Sequence, residues 1–79
     1  MNAKLVACLL MFHAPDGSEF FLERDHIVAL RAIITQQEKR HVATGVHTVI
    51  YTSAKAFGVV ETMRESAVLI GSCEKVEND

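Results

Sequence analysis

The run from Val46 to Gly71 constrains this chain more than any other, because a hairpin pattern, a helix start and a helix stop follow one another in it without a break. Val46, Thr48, Ile50 and Thr52 alternate with His47, Val49 and Tyr51, a polar turn covers Ser53 to Lys55, and a return strand is expected from Ala56 to Glu61. Gly58 inside that return strand predicts a bulge, or a bend where backbone passes close to another element. Thr62 followed three residues later by Glu65 fits a capping box, in which hydroxyl and carboxylate each satisfy a backbone N–H that the first helical turn leaves free. Gly71 then offers the left-handed conformation that ends a helix. Two strands and a capped helix follow, and nothing in the run is catalytic.

Upstream, Leu5 to Phe12 is an unbroken apolar run preceded by one positive side chain, Lys4. It is too short to span a bilayer as a helix, and no small-residue cleavage site closes it before Pro15. It reads as a buried strand instead of a targeting segment, with one face on the core and the other available to a second subunit. Pro15-Asp16-Gly17-Ser18 supplies a turn, and Glu19 to Glu23 resumes as a strand with Phe20 and Leu22 on one face, so the pair predicts a hairpin.

Glu23 to His41 supports two readings. A helix starting at Asp25 would carry Ile27, Leu30 and Ile34 on one face. A strand would set Val28, Leu30, Ala32 and Ile34 against Ile27, Ala29, Arg31 and Ile33. Periodicity leaves both open. Gln36 to Gly45 is polar and reads as a loop in either case.

At 79 residues the chain is a single domain spanning 1–79, with 73–79 an acidic tail that carries Glu74, Glu77 and Asp79. A domain of this size buries only roughly 60–65% of the surface its unfolded form exposes, and 49% of its residues are hydrophobic. That is more apolar surface than one small core encloses, and oligomerisation is the simplest remedy. The fold class expected is mainly β (α+β): a small antiparallel sheet or partly closed barrel of about four to five strands with one C-terminal helix. The formal net charge of −2 gives no global footprint for nucleic acid, although Lys39-Arg40-His41 is locally basic. Cys8 and Cys73 show no paired spacing and read as free thiols in a reducing, cytoplasmic compartment, the rival being one bridge from the first strand to the C-terminus.

Candidates for chemistry are few. His13, His26, His41 and His47 lack the paired spacings of structural zinc motifs, so no metal is expected. Cys73 with His47 as nucleophile and base has no visible third group. Glu61 and Glu65 flank the helix start, where capping explains Glu65. Gly17, Gly45, Gly58 and Gly71 are scattered and form no phosphate-binding loop. The expectation is a non-enzymatic chain without a cofactor.

The order of a short apolar strand, Asp16-Gly17-Ser18-Glu19-Phe20, Ile27 before a strand, Thr48-Val49-Ile50, a turn with Lys55, then Val59-Val60-Glu61-Thr62 and a helix resembles the small FlbD-type proteins associated with flagella and swarming motility. The match covers roughly Leu5 to Ile70 and rests on few motifs. It departs from the family in Ser53-Ala54-Lys55, where a Gly-Lys turn is usual, and in a longer loop from Gln36 to His47. The resemblance implies a strand, not a helix, for the ambiguous segment, and a flagellar role.

Two functions are expected, in this order. The first is a small protein-interaction or accessory module that self-associates through a strand edge or apolar sheet face built on Leu5, Ala7, Leu9 and Met11, and docks on an unknown protein partner. The alternative is a nucleic-acid-binding small barrel, similar to Sm-like proteins in size and strand content. There Arg24, Arg31, Lys39, Arg40 and His41 would converge, with Phe21 or Tyr51 stacking on a base.

Overall fold

The computed structural model describes residues 8–72. Leu5 and Ala7, the acidic tail and Cys73 lie outside the described residues. Strands β1 (Leu9–His13) and β2 (Glu19–Glu23) form an antiparallel hairpin. Strands β3 (Ile27–Ala32), β4 (Thr48–Thr52) and β5 (Ala56–Val59) form a second antiparallel sheet in the order β3-β4-β5. A one-turn helix α1 (Gln36–Lys39) interrupts the long β3–β4 connection, and helix α2 (Met63–Gly71) follows β5. The fold is β-rich with a helix near the C-terminus, and among the described residues no barrel closes.

Local chemistry accounts for the turns. In the β1–β2 connection the Asp16 carboxylate accepts from the Ser18 backbone N–H at 2.9 Å and from its hydroxyl at 2.7 Å, while Gly17 takes a φ of +94° that a β-carbon would oppose. Between β4 and β5, Thr52 Oγ1 accepts from the backbone N–H groups of Ala54 and Lys55, so an ST-type turn closes the hairpin.

The ambiguous segment is a strand, entered through a 3-10 turn at Arg24–His26. A register shift lies between Ile27 and Ala29. The bulge at Val28 resets the alternation, so Ile27 and Leu30 both pack against the core, while beyond it Leu30 and Ala32 share the less exposed face and Ala29 and Arg31 the exposed one, as the strand reading expected. Gly58, where the sequence suggested a bulge or bend, pairs in regular register with Val49. Its role is the close approach: a β-carbon there would stand 2.9 Å from Val46 Cγ2 and 3.2 Å from Cγ1.

The capping box of α2 is present in full, with Thr62 Oγ1 accepting from Glu65 N–H at 3.1 Å and Glu65 Oε1 accepting from Thr62 N–H at 2.8 Å. Gly71 is not a left-handed stop; it is the last helical residue, Ser72 caps the helix in a right-handed conformation, and the Ser72 hydroxyl donates to the Leu69 carbonyl. Thr35 and Glu38 make a second capping box at α1, in a segment read from sequence as loop.

The two sheets enclose one cluster, in which Leu10 and Phe12 of the hairpin meet Ile50 and Val59 of the larger sheet. Phe12 lies 6.3 Å from the Phe20 ring, which stacks on Phe57 at 5.4 Å. Leu69 and Ile70 bring α2 onto this core. Cys8 also packs against it and is disulfide-bonded, which corrects the reading of this residue as a free thiol. No helix among the described residues is long and apolar enough to cross a membrane.

Candidate functional site

Strand alternation puts Leu10 and Phe12 inward, and therefore Leu9, Met11 and His13 outward. Leu9 is 59% exposed and Met11 37%. Directly across the ladder Met11 faces Phe21, itself 60% exposed, while Leu9 faces Glu23 and His13 faces Glu19. The outer face of the hairpin is thus an apolar patch of Leu9, Met11 and Phe21, bounded at its two ends by glutamates. Phe21 enters this surface by cross-strand pairing, a neighbour relation that becomes visible once the hairpin register is known.

His13 ends β1 at a junction between the sheets. Its backbone N–H donates to Glu61 Oε1 at 3.0 Å, its ring Nδ1 lies 2.5 Å from Glu61 Oε2, and its carbonyl accepts from the Val60 N–H at 2.9 Å. Nε2 stands 3.7 Å from Glu19. The Glu61 hydrogen bond, helped by the charge of both glutamates, raises the His13 pKa above its ordinary value of 6.5 against the opposing effect of burial. Burial pushes the Glu61 carboxyl up, but hydrogen bonds from the His13 ring and backbone outweigh it and hold the group below 4.5. The fully buried Thr48 donates to the Glu61 carbonyl at 2.8 Å, and His47 Nδ1 lies 2.9 Å from the Val60 carbonyl. Forty-eight residues separate His13 from Glu61, so no local spacing announced the pair.

Of the basic residues, Arg31 and His41 line one cleft, and Arg24, Lys39 and Arg40 are not among its lining residues. Arg24 lies in the 3-10 turn before β3, while Arg31 is near the other end of that strand and Lys39, Arg40 and His41 follow at α1. Seven residues of largely extended chain separate Arg24 from Arg31, about 20 Å. Arg31 is engaged by Glu38 at 3.0 Å, and the Glu38 carboxylate, accepting from the Thr35 and Ile34 backbone N–H groups as well as from Arg31, is held down at about 2. Arg31, His41 and Tyr51 do line a common cleft of about 350 Å³ with Glu38, whereas Phe21 sits on the other sheet. Among the described residues no group of three or more His, Cys, Asp or Glu side chains is arranged to hold a metal ion.

Comparison with family models, curated proteins and solved structures finds no match.

Proposed function

We propose that the protein is a small interaction module that self-associates through the outer face of the β1–β2 hairpin, with a second copy of the chain as the occupant. The observation that carries this reading is the patch of Leu9, Met11 and Phe21, apolar at its centre and edged by Glu19 and Glu23. An apolar core with a polar rim is the anatomy of a protein interface, and the patch continues the apolar run that the sequence leaves without a second covering. Leu5 and Ala7, the other two residues expected there, lie outside the described residues. The FlbD-type resemblance is compatible with an accessory module of this kind and supplies the flagellar setting as a candidate pathway.

Sedimentation velocity on the variants Leu9→Glu and Phe21→Glu tests the surface. Each places a carboxylate where a partner's side chains would exclude water, so folded monomers are expected from a wild-type dimer or larger assembly. Variants that stay as associated as the wild type would remove the hairpin face from consideration.

Nucleic-acid binding ranks second. Arg31, His41 and Tyr51 share a cleft, but Glu38 pairs with Arg31, and Arg24, Lys39 and Arg40 are not among the residues that line it. The disulfide at Cys8 favours an oxidising setting over the reducing cytoplasm. Resistance of Cys8 to a thiol reagent until reductant is added is the expected behaviour, and immediate labelling of natively purified protein would return the chain to a reducing compartment.

A further inference from the structure

We propose that His13 is a proton-controlled latch: its protonated ring, clamped between Glu61 and Glu19, fastens the β1–β2 hairpin to the three-stranded sheet, and loss of the proton loosens that junction. The proposal stands on where His13 sits. It is the last residue of β1, and it bonds the segment just after β5 three times: through its N–H to Glu61, its ring to Glu61 and its carbonyl to Val60 N–H. Glu61 is fixed from the other side by the buried Thr48, whose hydroxyl holds its carbonyl, so the carboxylate is presented to His13 by an element that does not move with the hairpin.

The charges facing the ring are one-sided. Glu61 after β5 and Glu19 on β2 are both acidic; His47, bonded to the Val60 carbonyl, and Glu65 of α2, which accepts from the Thr62 N–H, are further titratable groups bonded to the same segment. An imidazolium between two carboxylates makes charge-assisted bonds that are shorter and stronger than neutral ones. A neutral ring keeps at most the bond to Glu61 and leaves Glu19 unopposed. Because the junction favours the protonated ring, the protonated ring must by linkage favour the closed junction, and the raised affinity of His13 for its proton agrees with this.

Hydrogen exchange followed residue by residue by NMR, corrected for the intrinsic pH dependence of amide exchange, reads the latch. The Val60 and His13 amides report the junction, and the Ile33 and Ser53 amides, which donate across the β3–β4 pair to the His47 and His26 carbonyls, report the sheet behind it. On raising the pH from about 5.5 to about 8.5, junction protection is expected to fall relative to the ladder, on the order of tenfold for each pH unit by which the junction raises the His13 pKa. His13→Gln should abolish this pH response, and Glu19→Gln should reduce it while keeping the Glu61 bonds. A ratio of junction to ladder protection that stays constant with pH in the wild type would overturn the proposal even if the His13 variant fails to fold. An undiminished response in a folded His13→Gln protein would overturn it equally.

Discussion

At the scale of single residues, the tightest constraint is steric. The absent β-carbon of Gly58 is the space occupied by Val46, which is itself buried and, being β-branched, has little rotamer freedom. Gly58→Ala should therefore destabilise the fold by about 1–3 kcal/mol, as overpacking of a closed site does. Val46→Ala alone costs the transfer and cavity terms, yet the double variant should be more stable than the sum of the two predicts, since removing the valine methyls relieves the clash. Urea unfolding of the four proteins measures that coupling; strict additivity would show that Val46 is not what Gly58 makes room for. The His13–Glu61 pair carries a sign that can be worked out. A raised histidine pKa contributes stability fully present below 6.5 and lost as pH rises through the folded value, and a lowered Glu61 pKa contributes above 4.5 and is lost as pH falls through its folded value. Both contributions operate together between pH 4.5 and 6.5, and there the stability gap between wild type and His13→Gln should be widest.

At the scale of elements, what could be read from sequence was whatever rests on local chemistry. The Thr62–Glu65 capping box, the Asp16-Gly17 turn, the inward Phe20 and Leu22 of β2 and the β4–β5 hairpin each depend on residues within a few positions of one another, and each is present. Three features were misread, the first because tertiary packing sets it and the other two although they rest on local bonds, at Ser72 and at the Thr35–Glu38 capping box. The bulge at Val28 resets the alternation of β3 because Ile27 and Leu30 are both drawn to the core, a preference no alternation rule contains. Gly71 stays helical, since Ser72 closes α2 without a left-handed residue. The Gln36–Lys39 turn forms although its composition reads as loop, because Glu38 is held by Thr35, Ile34 and also Arg31 of β3. The cap that was foreseen is also the easiest to test. Thr62→Ala should lower stability by about 1 kcal/mol and lower the α-helical circular dichroism, whereas Thr62→Ser should restore both. Equal loss in the serine variant would mean that the Thr62 methyl, not its hydroxyl, supports α2.

At the scale of the whole molecule, the candidate surface was partly legible. Leu9 and Met11 follow from the apolar run and do lie on the exposed face of β1, while Phe21 joins them only through the Met11–Phe21 register. Of the basic set, Arg31 and His41 come together in one cleft through the path of β3 and α1. One hydrophobic cluster holds two sheets and a helix together while a second apolar patch remains outside it, and a second copy of the chain is the proposed cover for that patch. Light scattering coupled to size exclusion on the native chain, with absorbance recorded at protein and nucleic-acid wavelengths, tests it most directly. Self-association through the hairpin predicts a nucleic-acid-free dimer or larger assembly across a range of salt concentrations. A clean monomer, or a species whose bound nucleic acid is stripped by salt, would contradict it.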